Sequence, residues 1–168
     1  RAATRALGIA THAVHLVGFT PTGQMWLQQR ALTKPNDPGL WDTLVGGMVP
    51  TGETVLAALA RETWEEAGLH LAELHGLTLG GRIESARPTP DALGTGYLRE
   101  TIDWYAASVP PHLAPQNQDG EVAQFAQWPA EAVLQRLDAG DFTLDAARIL
   151  VEALLAQAVI ETPMTREQ

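Results

Sequence analysis

The stretch Gly47–Leu69, GMVPTGETVLAALARETWEEAGL, concentrates the residues of this chain that could do chemistry. It carries the carboxylates Glu53, Glu62, Glu65 and Glu66, the guanidinium of Arg61, and glycines at 47, 52 and 68. Glu62, Glu65 and Glu66 stand three and four residues apart, which on a helix places them on one face. Left alone they repel one another. A hard divalent cation removes the conflict, because Mg²⁺ or Mn²⁺ selects closely set carboxylate oxygens. An ion held there would neutralise a diphosphate, polarise phosphorus and lower the pKa of a bound water. Arg61, beside Glu62 and four residues before Glu65, can lock their rotamers with its rigid fork of donors. Gly47 would admit close backbone approach, and Gly52 and Gly68 would shape the helix entry and exit.

The surrounding pattern supplies elements to position these groups. His12–Phe19 and Gln24–Arg30 read as a strand hairpin turned at Pro21-Thr22-Gly23. Ala31–Leu40 reads as a loop dense in Pro, Asn and Asp, and Trp41–Val45 as a short strand ending at Gly46-Gly47. Thr54–Ala67 is then a helix stopped by Gly68, with Leu56, Ala60, Thr63 and Ala67 expected to bury on the side away from the glutamates. Leu77–Glu84 and Tyr97–Ser108 are strands flanking a mobile-looking loop, Ala86–Gly96. A loop at Pro110–Gly120, a strand at Val122–Trp128, a helix from Pro129 to Leu137 and a last helix from about Thr143 to Ile160 complete the reading. Strands around one early helix, with more helices at the end, predict an α/β or α+β sandwich of helices on a mixed sheet.

The 168 residues suit one domain, read as 1–168, with a proper core. A formal net charge of −9 argues against binding a nucleic-acid polymer, which needs a basic surface. It leaves room for a phosphorylated small molecule whose charge is met locally by metal and Arg or Lys. The absence of cysteine excludes disulfides, zinc–thiolate sites and thiol catalysis and suits a cytoplasmic protein. Ala146–Ile160, the most apolar segment, carries Arg148, Glu152 and Gln157 and reads as an amphipathic helix, so no membrane association is expected. The start at Arg1, without methionine, reads as a trimmed chain lacking an N-terminal region.

The segment Gly47–Leu69 resembles the Nudix box residue by residue: Gly47, Glu53, Arg61-Glu62, Trp64 at the free position, Glu65-Glu66, Gly68 and Leu69, with Thr63 where an aliphatic residue is usual. The resemblance implies a Nudix-type α/β/α sandwich with a mixed β-sheet and a Mg²⁺- or Mn²⁺-dependent hydrolase of a nucleoside diphosphate linked to another moiety, or of a related diphosphate. It implies Glu62, Glu65 and Glu66 as metal ligands, Glu53 as their support and Arg61 as their orienting residue. A loop glutamate commonly adds a ligand or acts as base in this family, which brings in Glu121. The flanking stretches QQRALTKPNDPGLWDTLVGG and ETIDWYAASVPPHLAPQNQDGEV are similar to a subgroup related to fungal thiamine-pathway hydrolases. That likeness implies thiamine diphosphate or its oxidised forms as substrate, with monophosphate and phosphate as products. Family members are often homodimers.

Around the box, Arg30 and Lys34 could grip the diphosphate, and Trp41 could stack on an aromatic ring. Trp104 is expected to pack in the core, and Glu100 to be a structural partner or to face solvent. The five histidines, His12, His15, His70, His75 and His112, show no ligand spacing, and His12 and His15 should point to opposite faces of their strand. Within the hydrolase reading, oxidised nucleotides, ADP-ribose and dinucleoside polyphosphates compete with thiamine diphosphates as substrate. Isopentenyl diphosphate isomerase resembles the chain in the basic–PG–W run, but relies on a cysteine that is absent here. A non-catalytic Nudix binding module is the third reading, opposed by the intact box.

Overall fold

The computed structural model describes residues 7–91 and 94–161. Strand β1 (Thr11–Phe19) separates two cores. Its alternating side chains face opposite sides. Val14 and Leu16 join Ala58 and Leu59 in one cluster, while Ala13 and Val17 join Ile149 and Leu150 in the other. The chain continues through β2 (Met25–Arg30), β3 (Trp41–Asp42), β4 (Val45–Met48), helix α1 (Val55–Ala67) and a 3-10 turn at Leu71–Glu73. Strands β5 (His75–Asp91), β6 (Gly94–Ser108) and β7 (Val122–Trp128) follow, then helices α2 (Ala130–Asp138) and α3 (Leu144–Glu161). Helix α1 covers one face of the sheet and α3 the other, the expected α/β/α sandwich.

The sheet is mixed and seven-stranded, in the order β3-β2-β1-β6-β5, with β4 on β1 and β7 on β2. β1 runs parallel to β6 along its whole length. Its other edge is shared: β4 pairs with Ala13–Leu16, and β2 with Gly18 and Phe19 alone. The sheet therefore forks at the end of β1. Gly18 lies at the fork, where a Cβ would come within 2.4 Å of Leu44 Cδ2. The fork sets Gly46 and Gly47 of β4 beneath α1.

Three expectations need correction. The strand expected at Trp41–Val45 is broken into β3 and β4, because Thr43 and Leu44 cross from pairing with β2 to pairing with β1. The loop expected at Ala86–Gly96 is, wherever described, the continuation of a β5–β6 hairpin registered as far as Asp91 opposite Gly94. Residues 92 and 93 lie outside the described set. On α1, Leu56 is 51% exposed and Ala60 faces solvent, while Ala58, Leu59, Glu62, Thr63, Glu66 and Ala67 are buried. Two of the glutamates thus belong to the packing face. The helix ends are as expected: the Thr54 side chain accepts from Ala57 N, and Gly68 closes the helix with φ 63°.

Candidate active site

Helix α1 lies against β4 so that Glu62 rests over Gly47. A Cβ on Gly47 would fall 1.9 Å from Glu62 Cδ, so only glycine leaves this carboxylate its place. One turn on, Glu66 is buried to 2% exposure, and its Oε2 accepts from Gly46 N at 2.9 Å and from Gln28 Nε2 at 2.9 Å. Burial pushes the Glu66 carboxyl up to about 8, opposed by the Gly46 and Gln28 hydrogen bonds and by the charge of Lys34.

Arg61 gathers the remaining acids. Its Nη1 donates to Glu62 Oε1 at 2.7 Å and to Glu65 Oε2 at 3.1 Å. Nε and Nη2 hold both oxygens of Glu53 at 3.3 and 3.0 Å, and Nη2 also reaches Met48 O at 3.1 Å. The Glu53 hydrogen bonds first, then those of Glu62 and Glu65, raise the Arg61 pKa further above its already high range, against desolvation.

The other expected residues divide. Lys34 pairs with Glu121, and Ala31 N donates to Glu121 O, so the loop after β2 meets the residue just before β7. Lys34 also lies close enough to Glu66 to act on its charge. Arg30 is turned to structure: Nε and Nη2 donate to Asn36 O at 3.3 and 3.0 Å, and Nη1 lies 3.5 Å from Asp42. Trp41 is 8% exposed in the core on the α3 side, its ring centroid 4.3 Å from that of Trp128. It lies on the sheet face opposite α1. Trp104 is buried, with Nε1 donating to Glu152, and Glu100 accepts from Thr11, so both are structural as expected. His12 and His15 do point to opposite faces, His12 to Asp103 and His15 to Thr43 behind Gly46. Gln28 was missed. Its signal was a polar residue at an inward position of the strand MWLQQR, on the same face as Trp26.

The C-terminus of α1 is also tied down. Gln116 N donates to Ala67 O at 2.8 Å and Gln118 N to Glu65 O at 3.2 Å. The segment leading to Glu121 is thereby registered on the glutamate helix.

Among the described residues, no three Asp, Glu or His side chains converge on one cation position as they stand. Arg61 is the reason for the acids it holds: its guanidinium sits where a cation between Glu62 and Glu65 would act. The donor set is nonetheless all carboxylate oxygen, and a cation alongside Glu66 would offset the burial that pushes its carboxyl up. The Gly47 cradle holds a third oxygen donor beside it. These features fit a hard divalent ion.

Comparison with known proteins adds four findings. The pattern of the NUDIX domain matches residues 10–148. The chain is 32% identical over 136 residues to Nudix hydrolase 20, chloroplastic, of Arabidopsis thaliana, covering 79% of this chain and 35% of that protein. This chain therefore spans about a third of that relative's length. It is 30% identical over 162 residues to the isopentenyl-diphosphate Delta-isomerase of Streptomyces griseus, covering 91% of this chain and 77% of the isomerase. Among solved structures, DR0079 from Deinococcus radiodurans superposes with a TM-score of 0.67 at 22% identity, covering 83% of this chain and 80% of the other. At that identity the likeness concerns the fold. No helix among the described residues is long and apolar enough to cross a membrane.

Proposed function

The chain belongs to the NUDIX domain family, and on that premise we propose that it is a divalent-metal-dependent hydrolase of a diphosphate linkage. The observation that carries the reading is the gathering of Glu53, Glu62 and Glu65 around Arg61, with Glu66 buried one turn away over the Gly46-Gly47 strand. Glu62, Glu65 and Glu66 would hold the ion, Mg²⁺ or Mn²⁺, with Glu121 supplied from the segment before β7. When bound, the ion would offset phosphate charge and acidify a water molecule.

The chain's own residues supply the rest. Arg61 orients three acids at once. Lys34, beside Glu66 and Glu121, offers positive charge to a phosphate oxygen. The side chains of Glu65 and Glu121 are 44% and 40% exposed, while that of Glu62 is 8% exposed. The two accessible acids are therefore the candidates to take a proton from water. Water oxygen bonds to phosphorus, the bridging P–O bond breaks, and a monophosphate and phosphate leave.

For the substrate we propose thiamine diphosphate or an oxidised derivative, on the strength of the flanking stretches Gln28–Gly47 and Glu100–Val122. A cytoplasmic location and homodimeric assembly belong to the same proposal. The test is release of phosphate or monophosphate with Mg²⁺ across thiamine diphosphate, its oxidised derivatives, oxidised nucleotides and ADP-ribose. Turnover confined to the thiamine set supports the full proposal. Turnover of a nucleotide keeps the hydrolase and discards the thiamine substrate.

The identity to the Streptomyces isomerase across 91% of the chain favours a second reading, isomerisation of isopentenyl diphosphate. The chain has no cysteine to serve that reaction. Formation of the allylic diphosphate without phosphate release would establish the isomerase and overturn the hydrolase.

A further inference from the structure

Glu62 and Glu65 are held by a cation, Arg61 Nη1, at 2.7 and 3.1 Å. An arriving metal ion must compete with that guanidinium for both. Glu66 is held differently. Its two hydrogen bonds, from Gly46 N and Gln28 Nε2, both end on Oε2 and both come from neutral donors. They fix the rotamer, bring no positive charge of their own, and leave Oε1 for another partner. Gln28 is itself only 2% exposed, on the α1 face of β2, and spends its amide on this one carboxylate. An amide buried between a strand and a helix costs stability unless it is bonded, and the bond that satisfies this one goes to Glu66.

We propose that Gln28 is a positioning residue, which aims Glu66 so that Oε1 is the ligand atom ready for a divalent cation before Glu62 and Glu65 are released from Arg61. The inference rests on the metal-dependent reading given above. Outer partners of this kind fix the orientation of a ligating carboxylate, and their loss costs roughly 10–100-fold in metal affinity.

The test is Mn²⁺ binding to the substrate-free protein, read from the EPR signal of free Mn²⁺, for wild type, Gln28→Met and Glu66→Gln. Methionine keeps the length and removes the donor. The expected result is Mn²⁺ binding weakened about 10–100-fold in Gln28→Met, with the metal concentration for half-maximal turnover rising in parallel and kcat at saturating metal changing less. Gln28→Asn, which withdraws the amide by one methylene, should behave alike and serves where the methionine variant fails to fold. A role in packing alone would lower the Tm of the metal-free protein and leave its Mn²⁺ Kd at the wild-type value, which overturns the proposal. A wild-type protein that binds no Mn²⁺ overturns the metal-dependent reading itself.

Discussion

Gly47→Ala is the sharpest perturbation the structure offers. The added methyl carbon would stand 1.9 Å from Glu62 Cδ and 2.3 Å from both its Cγ and Oε1. Ordinary carbon contacts need about 3.5–4 Å, so the carboxylate must move by well over an ångström. Its 2.7 Å bond to Arg61 is lost in the process. Overpacking of this kind costs about 1–3 kcal/mol. For a domain of this size that is a fall of about 2–12 °C in Tm. Misplacing a catalytic ligand by about 1 Å costs of the order of 100-fold in rate. The assay pairs steady-state turnover with Mg²⁺ and thermal denaturation. Gly140→Ala is the control: its φ of 76° strains an alanine, but nothing lies within 4 Å of the added carbon. It should lose stability and keep its rate. A Glu62→Ala background should absorb the Gly47→Ala destabilisation, because the obstructing side chain is gone, giving a coupling of about 1–3 kcal/mol. Turnover of Gly47→Ala within threefold of wild type, or an undiminished penalty in the Glu62→Ala background, would refute the reasoning.

Two further outcomes follow from the same geometry. Arg61→Lys keeps the charge but replaces a fork making five hydrogen bonds with a single ammonium, so kcat/KM should fall by about 10–100-fold; steady-state rates near wild type would count against Arg61 as the orienting residue. Asp103 is held below the ordinary carboxylate range, first by the Arg82 hydrogen bonds and also by His12, against its own burial. Its folded-state pKa being depressed, its contribution is present above the unfolded value near 3.8 and is lost as pH falls through the folded value. Asp103→Asn should therefore flatten the acid limb of stability, measured by urea denaturation from neutral pH down to pH ~2, and an unchanged limb would mean that the pair with Arg82 contributes nothing.

How much of this was legible in the letters depends on which residues are asked. The box glutamates, Arg61 and the capping Thr54 and Gly68 follow from local spacing, since a helix fixes i, i+3 and i+4 neighbours whatever surrounds it. The turn at Gly23 between β1 and β2 and the end of β7 at Trp128 follow likewise from turn and cap residues. The hairpin beyond Glu84 did not, because Pro88 and Pro90 signal a loop. β5 lies at the edge of the sheet, and two prolines two residues apart turn their nitrogens toward the same edge. An edge strand has one side without a ladder, and proline is tolerated on that side.

The buried face of α1 was misread for a related reason. Periodicity sorts side chains by polarity, and it sends glutamates outward. Here Gly46 and Gln28 supply donors that make burying Glu66 tolerable, and Gly47 supplies the space for Glu62. Those partners come from β2 and β4, outside the helix whose periodicity is being read, and the fork at the end of β1 brings them together. The acids that a helix would ordinarily send to solvent are therefore the ones its packing face is built around. A helix packed this way needs space for Glu62 and donors for Glu66, and that need accounts for glycine and glutamine, not larger apolar residues, where the sheet meets the helix.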